Sequence, residues 1–149
     1  MSANIQALCR QLSDLYLDGI QGSLGVTDED IEALESECGC ALPEDYKAFL
    51  KLNDGWHGIH WQVSDLFGVE GEGEFMDRAE ATEVFRAQGE ADPWVLEVRD
   101  QAFVVGAGYR STLLYMPKDQ SFVLYQDGAL EETYKTFGAF LQACIEDAD

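Results

Sequence analysis

The stretch that most constrains this chain is LPEDYKAFLKLNDGWHG, residues 42–58. Pro43 suits the first helical position, where its missing N–H costs no hydrogen bond, and Glu44 and Asp45 then face the positive end of the helix dipole. Leu42, Tyr46, Phe49 and Leu50 recur at helical spacing and form one stripe, while Lys47 and Lys51 fall on other faces. The stripe is expected to be buried. Asn53-Asp54-Gly55 tolerates turn and left-handed backbone, so the helix ends abruptly and delivers Trp56, His57 and Trp61 into the next segment.

A chain of 149 residues that is 46% hydrophobic holds one well-packed domain, residues 1–149, and is short for two. Its longest apolar runs, such as AFVVGAG, are only a few residues, and MSANIQALCRQLSD has no basic region followed by an apolar block. The sequence therefore predicts neither a transmembrane helix nor a secretory signal. Cys9, Cys38, Cys40 and Cys144 lie in a chain large enough to fold without staples, and three of them fall on apolar helix faces. The expectation is four reduced, buried thiols in a cytoplasmic protein.

Charge is the most unusual property, with 29 acids against 9 bases and a formal net of −20. Ten acids and no base lie between Arg10 and Lys47, and six more acids with no base lie between Lys51 and Arg78. Such a field repels nucleic acid and anionic membrane, which excludes a direct DNA or RNA binder as the expected class. It also speeds encounter with a basic partner, by steering that weakens with added salt. The plain alternative is that acidity only maintains solubility.

Residues 3–19 read as a first helix carrying Ile5, Leu8, Leu12, Leu15 and Tyr16. Thr27 followed by Asp-Glu-Asp reads as an N-cap opening a second helix, which turns Ile31, Leu34 and Cys38 inward and stops at Gly39. Residues 60–69 read as a strand, GEGEFMD as a surface turn, and RAEATEVFRAQG as a short helix with Val84 and Phe85 inward. WVLEVRD fits either an extended or a helical segment. AFVVG, STLLYM and SFVLYQ, separated by Gly106-Ala107-Gly108-Tyr109 and Pro117-Lys118-Asp119-Gln120, form an antiparallel meander. Asp127-Gly128 is a further turn, and Thr136 caps a closing helix with Phe137, Phe140, Leu141, Cys144 and Ile145 on its apolar stripe. The fold class is α+β: N-terminal helices packed on an antiparallel meander sheet, with a closing C-terminal helix.

This order of parts resembles the SMI1/KNR4 (SUKH) superfamily over roughly residues 27 to 145. The resemblance rests on Leu42, Pro43, Tyr46, Phe49, Leu50, Asn53 and Gly55, supported by Gly106, Gly108, Phe137, Phe140 and Leu141. The family commonly shows consecutive glycines after the Asn, where this chain has Asp54-Gly55-Trp56. What the resemblance implies is non-catalytic work without a cofactor. Its bacterial members look like immunity proteins that bind and neutralise a cognate toxin, often a nuclease, by occlusion; fungal members act in cell-wall regulation and signalling. The competing expectation is an intracellular scaffold of the same fold. The acidity agrees with the first, because a toxin that grips nucleic acid is itself basic.

The candidate contacts for such a partner are the acidic loop Glu70, Glu72, Glu74 and Asp77, the helix face carrying Glu29 and Glu32, and the aromatic exit at Trp56 and His57. Each has a plainer reading, as a solvated loop, a solvated face and core aromatics respectively. Other chemistries fit less well. Cys38-x-Cys40 with His57-x-x-His60 is not a standard zinc spacing, and nothing in the sequence holds one of these cysteines against a base as a nucleophile. Gly106-x-Gly108-x-x-Ser111 leads into a strand pattern, so it lacks the helix N-terminus of a dinucleotide loop. The 70–77 loop lacks the ligand order of a calcium-binding EF-hand. No catalytic, metal or cofactor residues are expected, and the oligomeric state stays open.

Overall fold

The computed structural model describes residues 5–15, 20–21, 26–57, 65–69, 77–108, 111–126 and 129–147. Helix α1, Ile5–Leu15, buries Ile5, Leu8, Cys9 and Leu12, the i, i+3, i+4, i+7 stripe of an amphipathic helix; Tyr16 lies outside the described residues. Helix α2, Asp28–Cys38, opens on a reciprocal capping box between Thr27 and Asp30. It closes at Gly39, whose left-handed φ of 78° lets its N–H reach the Glu35 carbonyl.

Helix α3 spans Glu44–Leu52, and Pro43 is its N-cap rather than its first helical residue. With ψ at 148° the Pro43 backbone is extended, and its carbonyl already accepts the first helical bond from the Lys47 N–H. Leu42, Tyr46, Phe49 and Leu50 are buried together. Asn53 ends the helix in extended backbone instead of the expected turn conformation, and Gly55 alone takes positive φ, at 91°. A Cβ on Gly55 would lie 2.8 Å from both the Gly68 nitrogen and the Leu66 carbonyl oxygen. Glycine there permits the close approach of two backbones.

Among the described residues seven strands follow one another across a single antiparallel sheet in chain order: β1 Ile20–Gln21, β2 Trp56–His57, β3 Asp65–Leu66, β4 Phe103–Gly108, β5 Ser111–Met116, β6 Ser121–Gln126 and β7 Ala129–Tyr134. Two departures from expectation lie here. Gly106 and Gly108 belong to β4 rather than to a turn, and a register shift between Val104 and Gly106 marks an irregularity of the bulge type. β7 is an added strand whose ALEETY sequence is half polar because it runs along a sheet edge.

Period-two alternation along β4 to β6 sends side chains to two cores. Phe103, Val105, Leu113, Tyr115, Phe122 and Leu124 face α1, α3 and the closing helix α6, Phe137–Asp147. Val104, Leu114, Met116, Val123 and Tyr125 face the other way, toward helix α4, Arg78–Ala87, and helix α5, Pro93–Val98. The sheet is thus covered on both faces, which makes three layers. WVLEVRD resolves as helical, with Pro93 in the first turn and the Asp92 side chain accepting from the Trp94 N–H. Within α4 the inward pair is Ala81 and Phe85, four apart, whereas Val84 is 51% exposed, contrary to expectation.

The layers are held by polar contacts as well as apolar burial. Asp45, nearly buried in the first turn of α3, accepts the Gly138 N–H of α6 at 2.9 Å, while Thr136 caps the same helix through the Ala139 N–H. Arg78 is buried and donates to the Val104 and Gly68 carbonyls, with its guanidinium over the rings of Phe67 and Phe103. Cys9 and Cys144 are buried and outside any disulfide, but Cys38 and Cys40 are joined as one across the end of α2, so four reduced thiols are not what is found. The Cα separation of 5.5 Å suits that pairing.

Candidate functional site

The helical layer formed by α2 and α3 carries an open groove of about 340 Å³ lined by Asp28, Ile31, Glu32, Glu35, Glu44, Lys47, Ala48 and Lys51. Its charged rim arises from two helical repeats. On α2, positions 28, 32 and 35 lie on one face, and on α3, positions 44, 47, 48 and 51 do the same. Ile31 and Ala48 provide the apolar lining.

Two lysines cross the acidic rim. Lys51 Nζ lies 2.7 Å from Asp28 Oδ1 and so bridges α3 to α2, while Lys47 Nζ lies 2.9 Å from Glu44 within α3. The hydrogen bond and charge of Lys51 hold the Asp28 carboxyl below its ordinary range, and the hydrogen bond that Lys47 donates to Glu44 lifts Lys47 above its own. Asp28 is fully exposed, and such surface pairs contribute little stability. Glu35 instead accepts the Leu42 N–H at 2.7 Å and fixes the α2–α3 connection. Glu32 remains as an acid of the rim for which the structure shows no lysine partner among the described residues.

The expected contact residues separate into distinct places. Glu29 and Glu32 are exposed on α2, and Glu32 lines the groove. Asp77 is exposed too, but it caps α4 through the Glu80 N–H, and α4 packs on the opposite face of the sheet. Glu70, Glu72 and Glu74 lie outside the described residues, as does the side chain of His57.

Trp56 follows the core reading of the two the sequence allows. It is 0% exposed at the heart of the first core, where its strand is flanked by β1 and β3, so it presents nothing to a partner. The indole Nε1 has no hydrogen-bond partner among the described residues. Among the described residues the tryptophan that reaches the surface is Trp94, half-buried on α5 and stacked on Tyr125 at 5.6 Å. The only sequence cue to it is Asp92-Pro93-Trp94, a helix start that places the indole in the first turn. Nothing in residues 42–58 signals that their lysines face acids of α2, because that pairing depends on how two helices cross.

Leu42, Tyr46, Phe49 and Leu50 are core residues, and the buried Asn53 side chain donates to the Cys9 sulfur at 3.5 Å. Asp54 stands where consecutive glycines were the family habit, and its carboxylate accepts the Val69 N–H at 2.8 Å. Burial pushes the Tyr46 hydroxyl up to about 12; Arg78 is near enough to oppose this, although the hydroxyl makes no hydrogen bond of good geometry. Among the described residues no group of three or more His, Cys, Asp or Glu side chains is placed to hold a metal ion, and no helix is long and apolar enough to cross a membrane.

These elements define an α+β protein with a helix-covered meander sheet and an acidic groove on one helical layer. Residues 25–143 match the SMI1/KNR4 family (SUKH-1), and the chain belongs to that family. Comparison with curated proteins gives no match to it.

Proposed function

We propose that this chain is a cytoplasmic immunity protein that binds a basic protein toxin and neutralises it by covering the surface the toxin uses, without catalysis or a cofactor. Nucleases are the toxin class best matched in charge. The observation that carries this reading is the net charge of −20 in a member of the SMI1/KNR4 family whose exposed α2 face adds Glu29 and Glu32 to an acidic groove. Opposed fields raise association rates and penalise acidic competitors. The acidic run Glu70, Glu72 and Glu74, with Asp77, is the second set of residues assigned to the partner.

A toxin-encoding gene is expected beside the gene for this chain, and the test is co-expression of the two products. Cells carrying both are expected to survive, and the purified pair is expected to associate more slowly as salt is added. Equal killing with and without this chain overturns the reading in favour of a regulatory scaffold.

A further inference from the structure

The second face of the sheet is incompletely covered. Phe85 of α4 and Trp94 of α5 reach as far as Tyr125 on β6, with ring centroids 5.6 Å from it in both cases. The next strand in that direction is β7, and in register Leu130 stands beside Tyr125 and Thr133 beside Val123. Tyr125 and Val123 are buried, but Leu130 is 49% exposed and Thr133 is exposed as well. A step therefore runs along β7, with the Trp94–Tyr125 stack as its wall and Leu130 and Thr133 as its floor.

The outer side of that step is a strand edge. β7 is the last strand of the sheet, and among the described residues no strand pairs with it beyond β6. At six residues it is three times the length of β1, the two-residue strand at the opposite edge. Such an edge offers a row of backbone donors and acceptors to an incoming extended chain. Natural proteins usually protect an edge of this length with charge or a bulge; Glu132 and the register shift supply both here, and an exposed leucine stands beside them. The register shift between Leu124 and Tyr125 leaves Leu130 on the α5 side and Glu132 on the α6 side of the sheet.

We propose that β7 is a docking edge for an extended, basic segment of the protein partner, which adds as an eighth strand beside Leu130 and Glu132. This rests on the reading of the chain as a binder of a basic protein. A second copy is the disfavoured occupant, because two bodies each of net charge −20 repel one another. The incoming strand carries an apolar residue next to Leu130 and a lysine or arginine next to the exposed Glu132. The acidic α2 face governs the rate of encounter, and the edge governs register.

The probe is a short synthetic peptide of alternating valine and lysine, added to the full chain while amide hydrogen exchange is followed. Slowed exchange confined to β7 is expected, with a valine–glutamate peptide giving none. Methylating alternate peptide nitrogens abolishes the protection, since it removes the strand's donors. Leu130→Lys weakens peptide binding about tenfold, the loss of one interface anchor. Gln11→Lys, which adds the same charge on an exposed position of α1, leaves binding unchanged. Binding that spares β7, or that survives both methylation and L130K, overturns the proposal. Toxin rescue by the L130K variant at full wild-type strength overturns it too, while leaving the immunity reading intact. Failure of rescue by the wild-type chain, with β7 still protected by the peptide, removes that reading alone.

Discussion

The carboxylate of Asp45 accepts the backbone N–H of Gly138 at 2.9 Å, joining the first turn of α3 to the first turn of α6. One buried acid thereby satisfies a helix terminus that is distant in sequence and close in the core, beside the Tyr46, Phe49 and Phe137 rings. Asp45→Ala leaves that amide buried without an acceptor and is expected to cost about 1–3 kcal/mol of unfolding free energy. Asp45→Asn keeps an acceptor and is expected to cost less. Urea unfolding of both variants checks the order, and equal losses would show that the bond is dispensable.

Gly55 and Gly39 both have positive φ, but only Gly55 meets a neighbouring backbone. Gly39→Ala meets nothing within 4 Å and carries the backbone penalty alone, about 1 kcal/mol. Gly55→Ala adds a clash with the Gly68 nitrogen and the Leu66 oxygen, so its loss is expected to exceed that of Gly39→Ala by roughly 1 kcal/mol or more. Thermal unfolding of the two variants side by side decides the point.

Arg78 reaches both cores, with Phe67 in one and Phe103 in the other under its guanidinium. Its Nε and Nη2 serve two separate carbonyls, a geometry a lysine ammonium does not reproduce. Arg78→Ala is expected to destabilise by about 3 kcal/mol, and Arg78→Lys to recover less than half of that. Denaturant midpoints of the pair measure it; full recovery by lysine would mean that charge alone matters.

Stability should fall in alkaline solution. Burial raises the Cys9 thiol from its ordinary 9.0 to about 11, against the opposing Asn53 hydrogen bond, and raises Tyr46 from 10.0 to about 12. Both groups hold their protons more tightly in the folded chain than in the unfolded one. Their contribution is therefore complete below pH 9 and declines as pH rises from 9 to 11 for Cys9, and from 10 to 12 for Tyr46. Urea midpoints read across this range are expected to drop, and Cys9→Ser to flatten the first part of the decline.

Reversing the α2 face with Glu29→Lys and Glu32→Lys is expected to slow toxin association several-fold and to reduce its salt dependence. Both side chains are exposed, so stability should stay within about 0.5 kcal/mol of wild type. Stopped-flow mixing at two ionic strengths provides the measurement, and an unchanged rate removes this face from the encounter.

Legibility in the amino-acid sequence tracks physical range. The Thr27 cap, the Gly39 stop, the α3 stripe, the Thr136 cap and the strands of the meander depend on residues within a few positions of each other, and each is present. Features set by distant packing are not legible. Val84 and Ala81 both satisfy helical spacing beside Phe85, and only the sheet beneath α4 chooses Ala81. β7 is half polar because it lies at the sheet edge, where Tyr134 packs on Phe140 of α6 while Leu130 and Thr133 stay exposed. Trp56 and Trp94 both come after turn signals, yet β1 and β3 flank one and the rim of α5 displays the other. The α2–α3 groove shows in the sequence only as separate faces, since the crossing that brings Lys51 to Asp28 leaves no local trace.

The strictly sequential strand order has a consequence for how the molecule is made. Each strand emerging from the ribosome finds its neighbour already waiting, so the sheet can grow by accretion with little search. The first hydrophobic interior is different, because α1 rests on α6. That chamber stays open until α6 has been synthesised, which leaves the apolar stripe of α1 without its cover until then.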